Sequence, residues 1–314
     1  MARIIITGCS GFIGSHLAKY LVERDHFVHG IVRKGQSVPT HVIPHEIQFE
    51  DGKDLERCFS EVLPDIIYHL ASPTYKNESN DLIDILHHLE TDIGNLIRLL
   101  SVSYKCTPSL RAFIRVGSLA EYGPTPTPFR EDHREQPLNI YAASLVAGTH
   151  IVQMLRQHYK IPFLTARLGL VYGPGQSEDF LLPRLVANCL KGERTIIVHP
   201  NYRRDMIAIE DIVKALTILG ESPPQDISIL NLSTGVAPKV MDIAAIVIEK
   251  TCCDSTLVET QKSLNSLEIK DLRGSSELMQ KKTGWRAQIP ISEGVERLVT
   301  WYLEQNKNSN LNVL

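Results

Sequence analysis

The chain has 314 residues and is 43% apolar, with 33 basic against 36 acidic side chains and a formal charge of −3. That length carries a large core in one or two domains, and the balanced charge offers no basic patch for a nucleic acid. No apolar run approaches the ~20 residues of a membrane span, and a glycine-rich turn that begins at residue 8 leaves no room for a signal peptide.

Arg3-Ile4-Ile5-Ile6 is a short apolar run of the kind that forms a buried parallel strand. It leads into Thr7-Gly8-Cys9-Ser10-Gly11-Phe12-Ile13-Gly14, and from Ser15 to Arg24 the apolar Leu17, Ala18, Leu21 and Val22 recur at helical spacing. Glycines at 8, 11 and 14 permit a tight turn, close approach to a pyrophosphate and close helix–strand packing. The helix N-terminus then faces the phosphates with unpaired amides. This predicts a bound dinucleotide. A second strand over 26–32 ends in Val32-Arg33-Lys34. NAD-binding sheets place Asp or Glu there to accept from the ribose 2′-hydroxyl. Two cations without a carboxylate suit a 2′-phosphate instead, because a guanidinium can pair with it bidentately. NADP(H) is therefore expected in preference to NAD(H), held by Arg33 and Lys34.

Strand-helix alternation continues. A helix at 55–63 precedes a strand at 65–71, the long amphipathic helix 82–104 precedes a strand at 112–117, and the helix 141–158 precedes a strand at 163–167. Such alternation implies an α/β fold with a parallel sheet covered on both faces and ligands beyond the carboxyl ends of its strands. Ser118 follows one such end, and Pro124-Thr125-Pro126-Thr127-Pro128 is a stiff loop placed to flank the site. Cys9, Cys58, Cys106, Cys189, Cys252 and Cys253 form no C-x-x-C pair and read as reduced thiols of a cytoplasmic protein. The histidines lack H-x-x-x-H ligand spacing, and His87-His88 reads as a solvated helix face, so no metal is expected. The polar segment 306–314 is expected to fray.

Seven segments together resemble an extended short-chain dehydrogenase/reductase of the nucleotide-sugar epimerase/dehydratase group. They are TGCSGFIG at 7–14, PDIIYHLAS at 64–72, VGSLAEYG at 116–123, YAASLVAG at 141–148, RLGLVYGPGQ at 167–176, RRDMIAIEDIV at 203–213 and TGWRAQIPISEG at 283–294. The resemblance implies a Rossmann-type doubly wound parallel sheet over 1–170 that holds NADP. It implies a smaller C-terminal α/β substrate-binding domain over 171–305, some of whose segments return to the core. It also implies a nucleoside diphosphate sugar as ligand and a homodimer through two long helices per subunit, here 82–104 and 141–158.

Site residues follow from the same resemblance. Gly8, Gly11 and Gly14 match the cofactor glycines, with Ser10, Phe12 and Ile13 lining that turn, and Leu70 and Ala71 are assigned to the cofactor as well. Asp51 resembles an aspartate that contacts adenine. Ser118 stands where an active-site Ser or Thr binds the sugar oxygen, and Tyr141 stands at the acid/base tyrosine, which also borders the cofactor. Arg204 matches an arginine for the substrate diphosphate, its structural alternative being an ion pair with Asp205 or Glu210, and Arg273 lies near the position of a second such arginine.

The departures narrow the function. The two carboxylic residues that eliminate water in 4,6-dehydratases are here Leu119 and Ala120, whereas GS-x-x-EYG looks like the 4-keto-6-deoxysugar reductases. Leu170 replaces a common substrate-contacting Asn. Most tellingly, Leu145 replaces the lysine of Tyr-x-x-x-Lys. Residues i and i+4 share a helix face, so a lysine there would stabilise tyrosinate and bind the nicotinamide ribose. A free tyrosine, with a pKa near 10, is only about 0.1% ionised at neutral pH, and an apolar neighbour raises that pKa further. Oxidation of an alcohol needs tyrosinate, whereas reduction of a ketone needs the abundant neutral form. The expectation is an NADP(H)-dependent reductase of a 4-keto(-6-deoxy) nucleotide sugar. An epimerase and a non-catalytic binder of the same ligands are the alternatives.

Overall fold

A computed structural model describes residues 1–50, 52–72, 82–107, 109–159, 161–261 and 268–311, with side chains as far as 307. In chain order the first half comprises β1 Arg3–Thr7, α1 Phe12–Val22, β2 Phe27–Val32, β3 Ile43–Glu46, α2 Gly52–Val62 and β4 Ile66–His69. It continues with α3 Leu82–Cys106, β5 Ala112–Ser118, α4 Ile140–His158 and β6 Phe163–Leu168. The second half adds β7 Leu170–Tyr172, α5 Leu181–Lys191, β8 Thr195–Val198, β9 Arg203–Arg204, β10 Met206–Ala208 and α6 Ile209–Glu221. After these come β11 Ile229–Leu232, α7 Val240–Thr251, β12 Val258–Gln261, β13 Asp271–Leu272, α8 Glu277–Thr283 and α9 Ile291–Leu311.

Seven strands form one parallel sheet in the order β11-β6-β5-β4-β1-β2-β3. The alternation of side chains along a strand divides its core. Ile4 and Ile6 join Leu17 and Leu21 of α1 and Ile212 and Leu216 of α6 on one face. Ile5 joins Phe59 of α2, Leu96 and Leu99 of α3 and Val152 of α4 on the other. The result is the doubly wound sheet expected from the sequence. A third apolar cluster gathers α5, α7 and α9 around Leu182, Ile243, Val247 and Val295. The pairs β7–β10, β8–β12 and β9–β13 lie outside the large sheet. None of the described helices is long and apolar enough to cross a membrane.

Three expectations change. The first helix starts at Phe12, inside the glycine motif, and ends at Val22 rather than at Arg24. His88 is buried, not solvated: it lies on the α3 face that meets α4, with its Nε2 3.4 Å from Ser144 Oγ. The tail from Asn306 is helical as far as Leu311, because α9 continues into it.

Candidate active site

The glycine turn is built for close approach. Gly8 has φ +71°, and a Cβ on it would lie 2.9 Å from the amide nitrogen of Ala71. A Cβ on Gly14 would lie 2.2 Å from the carbonyl oxygen of Gly8, so α1 can press against the turn only without a side chain there. The amides of Leu70 and Ala71 both donate to Thr7 Oγ1 at 3.2 Å, which brings the end of β4 against Gly8. Gly11 caps α1 with no side-chain hydrogen bond, leaving first-turn amides for an anion. Phe12 and Ile13 are half-buried beside the turn, and Ser10 Oγ donates to Gln36 Oε1 at 2.6 Å. Cys9 is fully buried, and burial pushes its thiol up to about 12, so it is inert packing. This cradle fits the pyrophosphate of a dinucleotide.

Arg33 and Lys34 are exposed beyond β2, and neither forms an ion pair among the described residues. Sequence reasoning missed a nearby carboxylate: Glu46, at the end of β3, accepts from the amide of Gly35 at 3.3 Å. Parallel pairing of β3 beside β2 carries it there. Asp51 lies outside the described residues.

Ser118 and Tyr141 come together. Ser118 ends β5 and caps a 3-10 turn over Leu119–Tyr122: its Oγ accepts from the amide of Ala120 at 3.1 Å, while Glu121 Oε1 accepts from the Ser118 amide at 3.0 Å. Tyr141 sits in the first turn of α4, started by Asn139, whose side chain accepts from the Ala142 amide at 2.9 Å. Ser118 lies close enough to the Tyr141 hydroxyl to favour its ionised form. Burial, then the Glu121 and Asp92 carboxylates, push Tyr141 up to about 12, against the opposing pull of Arg115 and Ser118. Leu145, one turn along the same face, is 1% exposed. The Tyr141 hydroxyl therefore keeps its proton at physiological pH.

Behind this pair lies a polar network that sequence reasoning did not assign. Glu121 is fully buried, and its Oε2 accepts from Thr149 Oγ1 at 2.8 Å and Arg167 Nε at 2.9 Å. Arg167 also donates to Glu135 at 2.6 Å. Two signals in the sequence point to it: arginines in the middle of the apolar strands β5 and β6, which demand buried partners, and Ser118-x-x-Glu121, a capping-box spacing.

Arg204 does not pair with Asp205 or Glu210. It donates to the carbonyl of Ile269 at 2.8 Å and pairs with Glu268 at 3.3 Å. Asp205 is occupied by the amides of Thr234, Gly235 and Gly274, and Glu210 pairs with Arg297. Arg273 Nη2 donates to Thr127 in the proline-rich loop at 3.2 Å and to Asp271 at 3.1 Å. Leu272 pairs with Arg204 across β13 and β9 and clusters with Leu119, so both arginines attach to the segment bordering the turn after Ser118. Leu119 is fully buried, and Leu170 is 38% exposed. No group of metal-ligating side chains occurs among the described residues.

The model of the NAD-dependent epimerase/dehydratase family matches residues 4–232. Human dTDP-D-glucose 4,6-dehydratase is 26% identical over 98% of this chain and 91% of its own length. GDP-6-deoxy-D-mannose reductase of Pseudomonas aeruginosa is 24% identical over 95% of this chain and 96% of its own. The crystal structure of UDP-glucose 4-epimerase from Thermotoga maritima, solved with UDP-glucose, superposes with a TM-score of 0.88 at 22% identity. It covers 96% of this chain and 99% of that one, a likeness of fold.

Proposed function

The chain belongs to the NAD-dependent epimerase/dehydratase family, an enzyme of the short-chain dehydrogenase/reductase type, and from that premise we propose that it reduces a 4-keto nucleoside diphosphate sugar at the expense of NADPH. The carrying observation is the setting of Tyr141, half-buried and held neutral by desolvation, with Ser118 beside it and with Leu145 where the family's lysine would stand. Reduced nicotinamide, held by the Gly8, Gly11 and Gly14 turn, would supply the hydride that the ketone carbon takes up. Ser118 donates a hydrogen bond to the ketone oxygen, and Tyr141 transfers its proton to that oxygen, so that the ketone becomes a secondary alcohol and tyrosinate is reprotonated from solvent. Leu119 and Ala120 carry no transferable proton, which sets this site apart from elimination of water.

Gly8, Ser10, Gly11, Phe12, Ile13, Gly14, Leu70 and Ala71 hold the dinucleotide in this reading, and the exposed Arg33 and Lys34 favour a 2′-phosphate. Arg204 and Arg273 hold the sugar diphosphate. Two protomers associate through α3 and α4, whose exposed Leu86, Ile97 and Met154 offer an apolar surface. The enzyme works in the cytoplasm, where its six free cysteines stay reduced.

Incubation with NADPH and a set of 4-keto-6-deoxy nucleotide sugars tests the assignment. Stoichiometric NADPH oxidation with formation of the alcohol is the expected result. Interconversion of sugars without net cofactor consumption would make the enzyme an epimerase, and binding without turnover would make it a carrier of these ligands.

A further inference from the structure

Three donors from three elements meet on one buried carboxylate. Glu121 Oε1 accepts from the Ser118 amide at 3.0 Å, while its Oε2 accepts from Thr149 Oγ1 at 2.8 Å and from Arg167 Nε at 2.9 Å. Glu121, Thr149 and Arg167 are all fully buried. Gly117 makes the room, since a Cβ there would lie 2.2 Å from Glu121 Oε1. Only a carboxylate suits this place, because both of its oxygens must accept; a carboxamide would turn its NH2 against one of the donors. A buried ion pair is a weak source of stability, and apolar packing of the same volume often does as well. What this one supplies is direction.

That direction bears on Ser118. A serine hydroxyl has one proton to give and two lone pairs. Ser118 Oγ already accepts from the Ala120 amide at 3.1 Å, in the turn that Glu121 closes as the reciprocal half of a capping box. With a donor already on its oxygen, Ser118 meets a ligand best as a donor itself, and a ketone oxygen can only accept. Thr149 supports the same carboxylate from α4. It lies two turns from Tyr141 on the same helix face, past Leu145. Its hydroxyl gives its proton to Glu121 and accepts from Arg115 Nη1 at 3.3 Å. One carboxylate thus joins the turn that bears Ser118 to the helix that bears Tyr141, with a hydrogen bond to each.

We propose that Glu121 is a positioning residue that acts through Ser118: it fixes the turn so that the Ser118 hydroxyl is presented as a donor, and Thr149 holds α4 to that turn. This rests on Ser118 being the donor to the ketone oxygen in the proposed reduction. Leu145 gives α4 no polar side chain at the site, so the Thr149–Glu121 bond is the polar link from this face of the helix to the turn of Ser118.

A double-mutant cycle with Ser118→Ala tests this in the intact chain, read as single-turnover reduction of a 4-keto-6-deoxy nucleotide sugar at saturating NADPH. Ser118→Ala alone should lower the rate by about 10²–10³, the scale of one oriented donor. Glu121→Gln should lower it by about tenfold to a hundredfold while Ser118 is present, and scarcely at all in the Ser118→Ala chain, with NADPH affinity unchanged in both. Equal losses in the two backgrounds are what a purely structural role gives, and they overturn the proposal. Thr149→Val leaves the Glu121–Arg167 pair intact and should show the same dependence on Ser118 with a smaller loss, restored by Thr149→Ser; it decides the matter if Glu121→Gln does not fold. Hydrogen exchange at the Ser118 amide reads the contact without substrate and should quicken in both variants. An unchanged exchange rate in whichever variant folds also overturns the proposal. Quickened exchange in a protein whose natural form reduces no keto sugar leaves the role of Glu121 standing and overturns the reductase reading instead.

Discussion

Arg167 donates its Nε to Glu121 at 2.9 Å with both side chains fully buried, one from strand β6 and the other from the turn that Ser118 begins. This pair ties the geometry of Ser118 to the sheet, because the same carboxylate accepts the Ser118 amide. Removing one member of a buried pair leaves the other charge uncompensated, at a cost of about 3–5 kcal/mol. Glu121→Ala should therefore lower the free energy of unfolding, read by urea denaturation, by up to that amount, since Arg167 keeps its pair with Glu135. Glu293→Ala, which breaks the exposed pair with Arg297, should leave stability essentially unchanged. Equal losses in the two variants would show that the Glu121–Arg167 pair does not anchor the turn.

Leu145→Lys should bias the reaction towards oxidation. The introduced ammonium would lie on the Tyr141 face of α4, where the hydroxyl is now pushed up to about 12, and would lower that value by about one to three units. Single-turnover oxidation of the sugar alcohol at neutral pH should rise more than reduction of the ketone, with Tyr141→Phe abolishing both. A flat pH profile for oxidation, combined with no gain from the lysine, would remove Tyr141 from the chemistry.

Arg33→Ala should weaken NADPH binding by about 1–3 kcal/mol, the scale of a lost charge-assisted hydrogen bond, and leave NADH almost unaffected. Calorimetry with both cofactors reads the difference. Tighter binding of NADH than of NADPH by the natural chain would shift the assignment to Glu46, the carboxylate beside Gly35, as a ribose ligand.

Stability should fall as the solution is acidified from neutrality. Burial, then the charge of Arg115, lowers His69 to about 3, and burial, then His45, lowers His29 to about 4. Both folded values lie below the 6.5 of an unperturbed imidazole. The unfolded chain therefore takes up protons first. The stabilising contribution is complete above pH 6.5 and is lost as the pH falls towards about 4 and then about 3. Urea midpoints across this range should decline, and less steeply in His69→Asn. An unchanged slope in that variant would mean that His69 is not held neutral by the fold.

Local signals were legible where the physics is local. The strand-helix alternation gave the parallel sheet, since buried runs and amphipathic stripes report their own periodicity. The glycine turn was readable because only glycine tolerates the conformation of Gly8 and the contact between Gly14 and the Gly8 carbonyl. His87-His88 misled because two adjacent helix residues point in different directions, and only the packing of α3 on α4 selects which is buried. The alternative ion pair of Arg204 with Asp205 or Glu210 does not form, because sequence proximity counts for less than strand pairing, which brings Arg204 to the segment that carries Glu268 and Ile269.

The sequence by itself determined that a dinucleotide cradle exists, that Ser118 and Tyr141 are present in the right order, and that no lysine follows Tyr141 on its helix. Only the tertiary structure decided what charge surrounds that tyrosine. Asp92, Arg115, Glu121, Tyr141 and Arg167 belong to α3, β5, the turn after it, α4 and β6, so nothing in their spacing along the chain brings them together. A pKa depends on burial and on charges within a few ångströms, and both are properties of the packed sheet and helices rather than of any one segment.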